Sequence, residues 1–326
     1  MHHVTRRHAL GLAAGLGFAG PALAQAAWPS RPVTLLVPFA PGGASDIAAR
    51  AFSTRLAEHS GQPVVVENRP GANGQLAARL LARATPDGHT MMVGSIGVFA
   101  LNSVLYRNPG YDPLVDFAPV TLAVTTPNVL VVNPEVAPVN DLAELVAWMK
   151  ARPRGVFYAT SGIGSSPHLT MELFTQRTGT EATHVPARGG ASAVMDQLAG
   201  TVQVSFQGLG SVIGPVRDRR LRAMLVTAAR RNPLLPEVPT AAEAGLPDFE
   251  VSSWQAVMAP AATPAALREW IAGEIITFLR EPTVAEALEA GGYTVAGGTP
   301  AEYGTFQRAE IARWRQVAQA ANIILD

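Results

Sequence analysis

The sequence contains no cysteine and a single lysine, Lys150. Without cysteine the chain has no thiol nucleophile, no thiolate metal ligand, no disulfide and no lipidated N-terminal cysteine. With one lysine, set in an ordinary helical pattern, Schiff-base chemistry and a phosphate-loop ammonium share one candidate. Charge is sparse as well: 15% of the 326 residues are charged, and 25 basic side chains balance 25 acidic ones. No Lys/Arg-rich block breaks that balance, so the clustered cations that neutralise a phosphate backbone are missing, which argues against nucleic acid as a partner. Long apolar runs are missing too: the stretch Leu10 to Ala19 is about half of what a bilayer core requires. What is left is a chain that is 48% hydrophobic and long enough for two domains, each burying its own core.

The N-terminus reads as an address. Arg6-Arg7 is followed by the apolar stretch, a break at Gly20-Pro21 and the small-residue ending Ala22-Leu23-Ala24. That order of charged, apolar and small residues predicts a signal peptide over residues 1–24, cleaved near Ala24, and an exported, periplasmic protein. Thr5-Arg6-Arg7-His8-Ala9-Leu10 also fits a twin-arginine signal, so the general secretory and twin-arginine routes both stay open. Removal of the leader leaves 23 basic against 25 acidic residues. A chain of this length folds in an oxidising compartment without disulfides.

Beyond Gln25, short β-branched runs alternate with longer amphipathic ones. Strands are expected at Val33 to Val37, Pro63 to Glu67, Thr90 to Val93, Val129 to Val132, Val156 to Ala159, Val202 to Phe206 and Ala223 to Thr227. Helices are expected at Ser45 to His59, Gln75 to Ala84, Asp141 to Ala151, Pro167 to Thr178 and Ser192 to Ala199, with a mostly helical tail from Pro264. The rhythm predicts an α/β fold with parallel sheet and covering helices. Pro109 to Pro119 and Asn232 to Pro239 read as irregular connections.

One local design recurs four times: an apolar strand, a turn of Gly, Ser and Pro, then a helix start. The first is Val37-Pro38-Phe39-Ala40-Pro41-Gly42-Gly43-Ala44-Ser45-Asp46, with Ser45 or Asp46 as the expected cap. The second is Val93-Gly94-Ser95-Ile96-Gly97. The third is Ala159-Thr160-Ser161-Gly162-Ile163-Gly164-Ser165-Ser166-Pro167-His168, with Ser166 as cap and Pro167 at the first helical position. The fourth is Pro186-Ala187-Arg188-Gly189-Gly190-Ala191-Ser192. Helix starts carry unpaired N–H groups and a partial positive charge, so anionic oxygens dock there without a charged side chain. In open α/β sheets ligands settle at the carboxyl ends of strands, where these turns lie.

Named chemistries fail on their own residues. No turn completes a dinucleotide fingerprint, and none carries the Gly-Lys-Ser/Thr of a phosphate loop, so no nucleotide cofactor is expected. Gly-x-Ser-x-Gly is missing as well. His168 and Glu172 share a helical face, but two ligands without a His-Glu-x-x-His pattern read better as a structurally bonded histidine, and no metal is expected. Asp46 is either a general base or an acid favoured by the helix dipole. Arg188 either clamps a carboxylate or lies solvated. Phe39 and Trp254 could stack on a ligand, with the core as the expected place of Trp254.

These turns resemble a family, the Bug-type extracytoplasmic solute-binding proteins of tripartite tricarboxylate transporters. The resemblance is carried in order by Pro38 to Asp46, by Val65-Val66-Glu67-Asn68-Arg69-Pro70-Gly71-Ala72, by Gly162 to Leu169, by His184-Val185-Pro186, by Gly189-Gly190-Ala191 and by Pro236-Glu237-Val238-Pro239-Thr240. It implies a two-lobed type II periplasmic-binding (Venus flytrap) fold, a mostly parallel sheet with flanking helices in each lobe. The first lobe would comprise 25–122 plus 227–326 and the second 123–226. It implies no catalysis and no cofactor. The monomeric receptor would take a small organic carboxylate through backbone amides and ordered waters and hand it to a membrane permease. Carried over, Phe39, Gly43, Ser45, Asp46 and Ser95 would face the ligand from the first lobe. Thr160, Ser161, Gly162, Ser165, Ser166 and the stretch around Arg188, Gly189, Gly190 and Ala191 would face it from the second. Ala187 departs from the aromatic residue usual at that position, so the ligand's identity does not carry over. Two alternatives are a receptor that presents its closed form to a membrane sensor and an exported α/β hydrolase or lyase using Asp46 and His168.

Overall fold

The computed structural model describes residues 28–187, 189–320 and 323–325; the signal peptide and Arg188 fall outside them. The chain begins β1 (Val33–Val37), α1 (Ala44–Ser60), β2 (Val64–Asn68), α2 (Gln75–Ala82) and β3 (Thr90–Ser95). A π-helical turn, Gly97–Leu101, then runs into α3 (Asn102–Leu105). Next come β4 (Phe117–Val132), α4 (Leu142–Lys150), β5 (Phe157–Thr160), α5 (Ser166–Thr178), β6 (Thr183–Pro186), α6 (Gly190–Leu198), β7 (Val204–Gly208), α7 (Leu209–Arg217) and β8 (Arg222–Val226). The chain closes with β9 (Ser252–Pro260), α8 (Ala265–Leu279), α9 (Pro282–Ala290), β10 (Thr294–Val295) and α10 (Pro300–Ala320).

The fold is two-lobed, and β4 is the beam shared by both lobes. From Phe117 to Pro127 it pairs antiparallel with β9; from Asn128 to Val132 it pairs with β7 on one side and β8 on the other. The change of partner falls between Pro127 and Asn128. The returning chain lies alongside: Asn128 N–H donates to Thr227 Oγ1 at 2.9 Å, and Thr227 N–H donates to the Asn128 carbonyl at 2.9 Å. The first sheet runs β2-β1-β3-β9-β4 with β10 beside β4, and the second has β7, β5 and β6 in succession from β4.

The sheets are mixed, where a mostly parallel pattern is expected from the rhythm. β1 is parallel to β2 and β3, and β5 to β6 and β7, but every neighbour of β4 is antiparallel to it. A strand that leaves a lobe and a strand that returns to it must run in opposite directions, which sets the sense of the sheet centre. The stretch 109–119, read as irregular, supplies the start of β4. Pro119 sits where the β4–β9 register shifts, a place a residue without an N–H tolerates.

Helices cover both faces of each sheet. In the first lobe Phe52 and Leu56 of α1 and Ile271 and Ile275 of α8 bury one face, while Ala77 and Leu81 of α2 and Ile311 and Trp314 of α10 bury the other. In the second, Leu145 of α4 and Phe174 of α5 pack opposite Val194 of α6 and Val212 of α7. Strands buried on both faces explain the near-continuous apolar run Val33-Thr34-Leu35-Leu36-Val37. The connection 227–251, placed above with the first lobe, packs on the second: Leu235 and Val238 join the α7 side and Leu246 and Phe249 the α4–α5 side.

Candidate functional site

The four turns stand at the carboxyl ends of β1, β3, β5 and β6, and what each can offer a ligand follows from where its N–H groups go. At the first turn, Gly43 is the N-cap of α1 and supplies no side-chain bond. Ser45 and Asp46 therefore lie inside the helix rather than capping it. The N–H groups of Ala44, Ser45 and Asp46 have no acceptor among the described residues. At the fourth, Gly189 caps α6, again with no side-chain bond, and the N–H groups of Gly190 and Ala191 are likewise without acceptors. Glycine at the cap leaves backbone donors of a positive helix end open to an anion.

The third turn is more self-contained. Ser165, one residue earlier than expected, caps α5 by accepting the His168 N–H, which puts Pro167 in the second helical position. Thr160 Oγ1 bridges to both the carbonyl and the N–H of Gly162, at 3.1 and 3.3 Å. Gly164 N–H donates to His168 Nδ1 at 3.2 Å, and Ser165 N–H donates to the Gly162 carbonyl at 3.2 Å. The N–H groups of Ser161, Ile163 and Ser166 are those of the turn without an acceptor among the described residues. Gly162 sits at φ +135, a conformation open to glycine and strained for other residues.

Several candidate side chains are committed to holding the turns. Asp46 Oδ2 accepts from Gly42 N–H and Arg50 Nε, both at 2.9 Å, and its Oδ1 accepts from Asn68 Nδ2 at 3.0 Å. Burial pushes its carboxyl upward, but the bonds from Arg50, Gly42 and Asn68 outweigh that and hold it below the usual carboxylate range. Ser45 Oγ donates to Gln255 Oε1 at 2.6 Å, and Gln255 stands opposite Ser95 in the β3–β9 ladder, which joins the first two turns. Ser166 Oγ accepts from Asn128 Nδ2 at 2.9 Å. Phe39 is half-buried over Gly74, and Trp254 is fully buried with its Nε1 donating to Glu310. His168 and Asp46, the pair a hydrolase would use, are thus each bonded within their own lobe.

The turns of the two lobes meet. Asn73 Nδ2 in the first lobe lies 3.4 Å from the Ile163 carbonyl in the second. A Cβ on Gly97 would stand 3.8 Å from the Gly164 carbonyl, and one on Gly162 would stand 3.7 Å from the Ala187 carbonyl. The second, third and fourth turns thereby form a continuous rim, with the first tied to it through Gln255. Arg188 belongs to this rim in sequence and lies outside the described residues. Gln255, Asn128, His184 and Gln207 were missed by sequence reading; the signal they carry is a polar residue inside a strand run. Asn128 Oδ1 and Gln207 Oε1 are buried acceptors without a partner among the described residues. Among the described residues no three His, Cys, Asp or Glu side chains are grouped to hold a metal.

Comparison with known proteins extends this picture. The model of the family described as tripartite tricarboxylate transporter family receptor matches residues 48–323. Protein BugT of Bordetella pertussis is 37% identical over 304 residues, covering 93% of each chain. Among solved structures, R. palustris Rpa4515 with adipate is 39% identical, with a TM-score of 0.84 over 91% of this chain and 99% of that one. MatC (Rpa3494) from Rhodopseudomonas palustris with bound malate is 32% identical, with a TM-score of 0.80 over 89% of this chain and 99% of that one.

Proposed function

Since the chain belongs to the tripartite tricarboxylate transporter family of receptors, we propose that it captures a small organic carboxylate between its lobes and delivers it to the membrane permease of such a transporter. As a member of that family it is a periplasmic solute-binding receptor. One observation carries the carboxylate reading: α1 and α6, helices of opposite lobes, each begin at a glycine cap that leaves backbone N–H donors open. An acid with an oxygen at each helix start bridges the lobes and favours the closed state. The first-lobe contacts are the turn from Phe39 through Gly43 to Ser45 together with Ser95. The second-lobe contacts are Ser161, Ser165 and Ser166 with Gly189 to Ala191, and Arg188 is a further anchor. Asp46, Thr160 and Gly162 shape the turns that make those contacts.

We place the lobe boundaries at Pro127/Asn128 and at Val251/Ser252, where the ladder of β4 changes partner and the 227–251 connection ends. The receptor works as a monomer, exported by the general secretory or twin-arginine route with its leader removed near Ala24. It releases its guest unchanged and performs no catalysis.

The test is thermal unfolding against a panel of mono-, di- and aromatic carboxylates that includes adipate and malate. Binding to the folded state raises the melting temperature for at least one acid. Silence across the panel, together with shifts for sugars or cations, rejects the carboxylate reading.

A further inference from the structure

Beneath the third turn three rings are stacked in parallel. His168 of α5 and His184 of β6 have centroids 4.1 Å apart at 18°, and Tyr158 of β5 follows at 4.9 Å and 19° from His184. Tyr158 hands its hydroxyl proton to a bond with Glu172, one helical turn beyond His168. Tyr158 is part of the buried core of the second lobe, but an aliphatic side chain would fill the places of the two histidines without polar atoms to satisfy. What the histidines add is a pair of bonds to the turn. His168 Nδ1 accepts the Gly164 N–H, and His184 Nε2 lies 2.7 Å from Thr160 Oγ1, the hydroxyl that closes on Gly162.

We propose that His168 and His184 are positioning residues of the binding turn, each acting through one particular ring nitrogen: Nδ1 of His168 on Gly164 and Nε2 of His184 on Thr160. Each bond draws one end of the turn inward, and the N–H groups of Ser161 and Ile163 between them have no acceptor among the described residues. A His168 ring that gains a proton at Nδ1 loses the acceptor for Gly164, so that bond works with the ring neutral; Thr160, whose one hydroxyl proton goes to the Gly162 carbonyl, takes its second bond from the N–H of His184 Nε2. Burial disfavours the charged form of both, and His168 is further held neutral by its neighbour His184. This inference rests on the reading of the third turn as part of the carboxylate site.

The two nitrogens give the proposal a crossed signature. An asparagine amide reaches the position of an imidazole Nδ1, and a glutamine amide reaches that of Nε2. At position 168, H168L is expected to weaken binding of the panel acids about tenfold, H168N to recover most of that loss, and H168Q to recover little. At position 184 the order is reversed, with H184Q the recovering variant and H184N not. Calorimetric titration with the acids that shift the wild type reads the affinities, and circular dichroism confirms that each variant is folded. A direct readout needs no variant: nitrogen NMR of the wild type is expected to show coupling across the hydrogen bond from Gly164 N to His168 Nδ1. Leucine variants that bind as tightly as wild type, equal behaviour of Asn and Gln at both positions, or the absence of that coupling each overturn the proposal. If the wild type binds no acid of the panel and responds to sugars or cations instead, the carboxylate reading fails first and takes this inference with it. Binding by the wild type without the crossed pattern sinks this inference alone.

Discussion

At the scale of single residues, the site is built by side chains that keep backbone donors in place. Asp46 shows the principle most plainly, since its two oxygens tie Gly42, Arg50 and Asn68 together at the start of α1. Asp46→Ala is expected to cost about 2 kcal/mol in denaturant unfolding, the scale of losing hydrogen bonds to a charged acceptor, and to weaken carboxylate binding in the same samples. The histidines set a pH dependence. Burial lowers His168 to about 3 and His184 to about 4, against an ordinary 6.5. Between those values the unfolded chain binds more protons than the folded one, so their contribution to stability is complete above pH 6.5 and is lost as pH falls through the folded values. Melting temperatures followed from pH 7 to pH 4 should therefore drop, and the drop should be shallower in the H168N/H184Q double variant. The sequence made His168 visible as a bonded histidine because it follows a Ser-Ser-Pro helix start. It did not reveal His184 as its partner, because the β5–β6 ladder sets His184 opposite Tyr158 and only the tertiary placement of α5 brings the His168 ring onto it, which spacing along the chain does not show.

At the scale of elements, the β-α rhythm, the glycine turns and the Val129–Val132 end of β4 were legible, while the first part of β4 and the whole of β9 were not. β4 is hidden by Pro119 and Pro127, which read as loop punctuation and are accommodated where its ladder shifts or changes partner. β9 is hidden by Ser252-Ser253-Trp254-Gln255, whose polar members face partners specific to this fold: Gln255 takes Ser45, and Trp254 takes Glu310. The cap of α5 shifted because the sequence offers adjacent serines, and only geometry selects Ser165 over Ser166. A second element contact carries its own prediction. The first turn of α7 approaches the end of α9 so closely that a Cβ on Gly210 would stand 2.3 Å from the Gly291 carbonyl, a backbone atom with little room to retreat. Gly210→Ala should thus destabilise the protein by about 1–3 kcal/mol, measured by urea unfolding, because one lobe is pushed off the other.

At the scale of the whole molecule, two layered lobes hang from one shared strand and one return. Closure on an acid should shorten the radius of gyration in small-angle scattering, with adipate and malate as the first probes. An unchanged radius alongside confirmed binding would mean the lobes are already fixed in place. Two domains could be read from chain length, and the two-lobed plan from the motif order that carries the family resemblance. The boundary between lobes could not, because no linker composition marks it: residues 227–251 look like an ordinary proline-rich connection, and only their packing on the α4–α5 and α7 sides supports placing them with the second lobe.

The paired bonds between Asn128 and Thr227 have a further consequence. The entrance and exit of the second lobe lie side by side, so in gene terms that lobe is an insert spliced into the first at a single doorway. Both chain ends of a reporter domain could be grafted at that doorway, and a twist there as the halves close would be felt by the passenger directly.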